Sequence, residues 1–172
     1  EEALAQIKAR AGRLGLDEQS SLLLLSEQRL EAITHAIRES DAGAAIIDSM
    51  QTVFPGAVKD ALGSAVGTTQ QVGEVAYQLS QLAKSTGIPV FLIGHITKSG
   101  EFAGPKAIEH LVDVALYIEG GRDGDIRILR AVKNRYGSTE EIGVFQMTET
   151  GMNEIENPSE FFIERTGPPK PG

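Results

Sequence analysis

Asp48 closes a short run of small and apolar residues, Ala44-Ala-Ile-Ile-Asp48. Such a run predicts a buried strand that carries a carboxylate to its carboxyl edge, where open α/β sheets bind their ligands. An aspartate there can hold a water on Mg²⁺, as a Walker B strand does. A strand-end Asp also starts ordinary turns, so both readings stay open. A second apolar run, Pro89 to Gly94, leads into His95, Ile96 and Thr97. A polar side chain at that tip could sense a phosphate, although a lone histidine is usually structural, and the residue taken alone favours that reading. Lys133-Asn134-Arg135-Tyr136-Gly137 sets two cations on either side of an asparagine at a strand end. At alternating positions both point the same way, toward one anion. Arginine brings a planar fork for phosphate oxygens and lysine a point charge. The other reading is a basic hairpin turn.

Other chemistries lack their residues. A phosphate-binding P-loop needs G-x-x-x-x-G-K-[ST], and the sequence contains no Gly-Lys dipeptide. It has no Gly-x-Ser-x-Gly elbow, and His35, His95 and His110 have no metal-ligand spacing. With no cysteine, a disulfide framework, a thiol nucleophile and Cys-ligated zinc are all excluded. The lack of cysteine fits a reducing cytoplasm. Aromatic residues make up 5%, too few to support a stacking platform for single-stranded nucleic acid.

The elements that must position these residues alternate. Leu4, Ile7, Ala11 and Leu14 predict a helix stopped by Gly15. Leu22 to Leu25 read as a short strand, and Ser26 as the N-cap of a helix carrying Leu30, Ile33 and Ile37. The Ala44–Asp48 strand follows, then a loop over 49–63. A long helix runs from about Thr68 to Ser85, with Val72, Val75, Ala76, Leu79, Leu82 and Ala83 as its stripe and Gly87 as its stop. After the strand at 89–94 comes a glycine-rich loop at 97–106, then a short helix over Ile108–Leu111 and a strand over Val112–Glu119. Ile126–Val132 and Ile142–Met147 predict two further strands, and Glu160–Ile163 a last strand-like stretch. Helices alternating with near-continuous apolar runs imply a parallel sheet covered on both faces, here with an antiparallel C-terminal extension.

At 172 residues the chain suits one domain, and 41% hydrophobic content fits a globular class. No apolar run approaches the ~18 residues of a transmembrane helix. The net charge of -8 argues against indiscriminate coating of nucleic acid. Residues 94–139, however, carry seven bases against six acids, so an anionic partner would be least repelled there.

In order, EEALAQIKARAGRLGL, LLLLSE, AAIIDSMQTV, VFLIGHITKSGEFAGPKAIEHLVDVALYIEG and KNRYGSTEEIGVFQM resemble the RecA-type ATPase core of the bacterial RadA/Sms family of DNA repair proteins. The resemblance runs from Glu1 to about Arg165. Its most specific parts are GHITK…GPKAIEHLVD and KNRYG, the latter similar to the family's K-N-R-F-G with Tyr136 in place of Phe.

That resemblance implies an α/β, RecA-like, doubly wound sheet over 1–165 and a Pro/Gly tail or linker over 166–172. It implies an ATP- and Mg²⁺-using, DNA-dependent ATPase of recombination and repair, cytoplasmic, acting on DNA as a homo-oligomeric ring, by resemblance a hexamer. Glu2 would polarise the attacking water, Asp48 with Ser49 would serve the Mg²⁺ nucleotide, and His95 would couple the γ-phosphate to DNA. Lys133 and Arg135 would reach a neighbouring subunit's γ-phosphate. The loop at 50–63 matches the first DNA loop, and Lys98, Gly100, Gly104 and Lys106 belong to the second. The family's P-loop strand and four-Cys zinc module precede the matched region and a Lon-like domain follows it, so the expectation is a core lacking its first strand and P-loop. Two alternatives remain: a non-catalytic DNA-contact and assembly module, and a KaiC/DnaB-type RecA-like ATPase.

Overall fold

The computed structural model describes residues 4–16, 21–56, 67–95, 106–120 and 124–161. They fall in two compact units, one of Glu1–Gln6 with Ser21–Asp113, the other of Ile7–Ser20 with Val114–Gly172. Helix α1, Leu4–Arg13, crosses that division, and none of its residues is buried. Gly15 follows it at φ 74°, a left-handed conformation that glycine adopts without strain.

The first unit holds α2 (Leu30–Glu39), β1 (Ala45–Asp48), α3 (Thr69–Thr86), β2 (Val90–Ile93) and α4 (Lys106–Leu111). Helix α3 forms where its apolar spacing predicts. Val72, Val75, Ala76 and Leu79 are fully buried on one stripe. Thr68 caps it, its hydroxyl accepting from the Gln71 N–H, and Gly87 at φ 75° ends it. This stripe packs with Leu30, Ile33 and Ile37 of α2 and with Met50, Val53 and Ile108 into one core. Burying a leucine such as Leu79 contributes about 2 kcal/mol.

Strands β1 and β2 pair in parallel, from Ala45 opposite Val90 to Asp48 opposite Ile93. Ala45, Ile47, Val90 and Leu92 pack against the core. Their neighbours alternate outward, leaving Ile46 66% and Phe91 58% exposed. Cover on both faces was expected; among the described residues, helices cover one.

The second unit is an antiparallel meander, β3 (Val114–Gly120), β4 (Ile126–Asn134), β5 (Ile142–Thr148) and β6 (Gly151–Glu154), in the order β3-β4-β5-β6. A register shift between Ala115 and Leu116 bends β3 against β4. Among the unit's described residues, Ile126 and Val144 are buried.

Three local expectations are corrected. Leu22–Leu25 lie in no strand and are all exposed, because no ladder partner runs beside them among the described residues. The N-cap of α2 is Arg29, not Ser26. An isolated parallel bridge between Arg29 and Phe54 keeps the chain extended up to that point. The described part of 160–163 is helical, in a turn over 158–161 begun by Asn157, whose side chain accepts from the Glu160 N–H at 3.2 Å.

Candidate functional site

The parallel register brings the carboxyl ends of β1 and β2 to the same edge, so Asp48 and Ile93 are neighbours and His95 lies two residues further on. The ladder continues one bond beyond β1, where the Met50 N–H donates to the Ile93 carbonyl at 2.9 Å. The chain then turns. The Ser49 carbonyl accepts from the Thr52 N–H at 3.2 Å and from the Thr52 hydroxyl at 2.9 Å. Gln51, inside that turn, donates its side-chain amide to the His95 carbonyl at 3.3 Å. The structure therefore brings together Asp48, Ser49 and His95, and adds Gln51, which sequence reasoning missed. Its only signal was a polar amide three residues past the strand-end acid.

The oxygens at this edge differ in exposure. Asp48 and His95 face solvent, whereas Ser49 is 1% exposed and its hydroxyl has no hydrogen-bond partner. The Gln51 side-chain carbonyl is likewise buried without one. A carboxylate, a hydroxyl and an amide carbonyl are hard oxygen donors, the type that suits Mg²⁺. Among the described residues no three His, Asp or Glu cluster into a metal site. A single carboxylate at the tip suits a cation that keeps most of its water, as Mg²⁺ does.

Lys133 and Arg135 belong to the second unit. Lys133 lies within β4 opposite Ala115, and Asn134 is the last residue of the strand. Arg135 follows in a turn, so strand alternation does not orient it. The turn is closed by Asn134, whose Oδ1 accepts from the Tyr136 N–H at 3.0 Å and whose Nδ2 donates to the Ser138 carbonyl at 3.3 Å. Gly137 passes closely, since a Cβ there would lie 3.1 Å from Asn134 Nδ2.

Glu2, Lys98, Gly100 and Gly104 lie outside the described residues. Lys106 opens α4 with its main chain alone described. The loop expected at 49–63 is described up to Gly56, whose N–H donates to both carboxylate oxygens of Glu31 at 2.9 Å.

No protein-family model matches the chain. It is 48% identical to the DNA repair protein RadA of Bacillus subtilis (strain 168) over 164 residues, which cover 95% of this chain and 35% of that protein. Identity to the DNA repair protein RadA of Pseudomonas aeruginosa is 44% over 172 residues, covering 100% of this chain and 37% of the relative. For the DNA repair protein RadA of Streptococcus pneumoniae it is 45% over 164 residues, covering 95% and 38%. The chain thus spans little more than a third of the length of these relatives. Among solved structures, a KaiC-like protein from Pyrococcus horikoshii OT3 matches with a TM-score of 0.66 at 14% identity, over 90% of this chain and 72% of that one. That likeness concerns the fold, which is RecA-like. Over the segment it shares with these relatives, the chain is homologous to the bacterial DNA repair protein RadA.

Proposed function

We propose that the chain forms part of a DNA-dependent ATPase that processes recombination intermediates in DNA repair, with residues 1–165 contributing to one RecA-like core. The observation that carries this is the strand edge where Asp48, Ser49 and His95 meet, in a chain 48% identical to a DNA repair protein. Asp48 would hold Mg²⁺ through water, and the buried Ser49 hydroxyl supplies an oxygen still lacking a partner. When bound, Mg²⁺ would offset the charge of the nucleotide's phosphates. Glu2 would orient the attacking water. His95, exposed at the β2 tip, would report the state of the terminal phosphate to the DNA loops. Lys133 and Arg135 would act as cations supplied in trans, which requires a ring of copies. Lys98, Gly100, Gly104 and Lys106 would contact the DNA backbone. No helix among the described residues is long and apolar enough to cross a membrane.

The test is DNA-stimulated ATP hydrolysis by the full-length protein and by its Asp48→Asn, Lys133→Ala and Arg135→Ala variants. Loss of about 100-fold or more in kcat is expected for each. Wild-type turnover in the Lys133 and Arg135 variants would remove the trans cations from the mechanism. DNA binding without any hydrolysis by the wild type would favour a contact and assembly module instead.

A further inference from the structure

The amide of Gln51 bridges two segments that strand pairing alone does not join. Beyond Ile93 the β1–β2 ladder has ended, and the last main-chain bond across it is Met50 N–H to the Ile93 carbonyl. His95 lies two residues past that point. Its carbonyl is held at 3.3 Å by Gln51 Nε2, from a residue 44 positions earlier. The orientation of the amide follows from chemistry, because flipping it would set the Gln51 carbonyl against the His95 carbonyl, two acceptors face to face. That orientation leaves Gln51 Oε1 buried and without a partner, and the hydroxyl of Ser49, two residues earlier, is in the same condition. Buried polar atoms are rarely left so in proteins, and an ordered water, an ion or a role in the site accounts for them. The turn between them is fixed independently by Thr52, which binds the Ser49 carbonyl through both its hydroxyl and its N–H. Gln51 therefore projects from a braced turn.

We infer that Gln51 is a positioning residue: it ties the His95 tip of β2 to the turn that follows Asp48, so that the two keep one spacing and shift together. This rests on the reading of the edge as a nucleotide site. It assigns to a residue with no phosphate-binding chemistry of its own the coupling between the strand-end carboxylate and the strand-tip imidazole. Gln51 acts through the main chain of His95, so its loss should lower turnover more than nucleotide affinity.

The experiment uses Gln51→Met in the full-length protein, which keeps the side chain's length and removes the donor without adding charge. The Q51M variant should lose about tenfold in kcat with KM for ATP within about twofold, the loss of one hydrogen bond's worth of positioning. Amide hydrogen exchange over Val90–His95 provides a readout that needs no hydrolysis, with faster exchange in Q51M. If Q51M does not fold, Gln51→Glu, which keeps the side chain's shape and removes the donor, should show the same faster exchange. Unchanged exchange at the β2 tip overturns the inference, as does a wild-type rate in Q51M. An inactive wild type in which Q51M still loosens the tip would instead overturn the ATPase reading and leave the tie supported.

Discussion

The side-chain amide of Gln71 donates to the carbonyl of Val53 across 2.6 Å. Gln71 is 9% exposed, and its Oε1 accepts from the Gly67 N–H at 3.1 Å. One buried side chain thus satisfies main-chain groups on either side of residues 57–66. Replacing it with leucine keeps the volume but leaves the Val53 carbonyl and the Gly67 N–H without these partners. The Gln71→Leu variant is expected to lose about 2 kcal/mol, the cost of unsatisfied buried polar groups, read as a lower urea midpoint at unchanged m-value. An unshifted midpoint would mean that water replaces both bonds at no cost.

Glu27 and Arg29 form the clearest electrostatic pair. The Arg29 guanidinium bonds the Glu27 carboxylate at 2.7 Å, and the N–H groups of Arg29 and Gln28 add to it. The guanidinium's hydrogen bond is the main cause that lowers the Glu27 pKa from 4.5 to about 2, with the main-chain bonds next. A carboxylate with a depressed folded-state pKa stabilises the fold fully above its ordinary value and loses that stabilisation as pH falls toward the folded one. The difference in stability between wild type and Glu27→Gln should therefore be constant above about pH 5.5 and shrink between about pH 4.5 and 2. The pair is exposed, so the difference should be small and fall further with added salt. A difference that grows as the solution is acidified would contradict the pairing.

How much of this was legible depended on whether an element carries its own determinants. Helix α3 does: its buried stripe, Thr68 cap and Gly87 stop all lie within or next to it in sequence. Strands β1 and β2 were legible as apolar runs, and with them the placing of Asp48 and the β2 tip at one edge. Leu22–Leu25 look no different as a run, yet a strand also needs a neighbour, and run composition does not report one. Strand β6 is the converse. Gly-Met-Asn-Glu has no alternation to read, and it is a strand because the turn at Glu149-Thr150 folds it back on β5, with Met152 opposite Met147. Gln51 escaped notice because its partner lies 44 residues away, and a glutamine in a turn has no pattern of its own. Arg135 was expected to follow strand alternation from Lys133, but β4 ends between them at Asn134.

Gly143 in β5 tests whether an aromatic ring covers a glycine. A Cβ there would come within 2.8 Å of Phe145 Cε2 and 3.7 Å of Leu129 Cβ. The backbone is not in the left-handed region, so alanine is resisted mainly by the ring. Gly143→Ala should cost about 1 kcal/mol by displacing that ring. In a Phe145→Leu background, with the ring gone, the same change should be neutral or favourable, because alanine is less costly than glycine in a strand. Additive costs in the double mutant would show that the ring is not the obstacle.

Asn134 and Tyr136 separate the scaffold of the KNRYG turn from its display. Tyr136 is 80% exposed, so Tyr136→Phe should change stability by no more than about 0.5 kcal/mol. Its rate of ATP hydrolysis, under the proposed function, should stay at the wild-type value. Asn134→Ala removes the acceptor for the Tyr136 N–H and the donor to the Ser138 carbonyl, both within the turn that holds Arg135. It should lower stability by about 1 kcal/mol. It should also lower hydrolysis more than that loss explains at a temperature where the protein stays folded, because Arg135 is placed by the turn and not by the strand. Equal rates for Asn134→Ala and wild type would show that the cation finds its position without the asparagine.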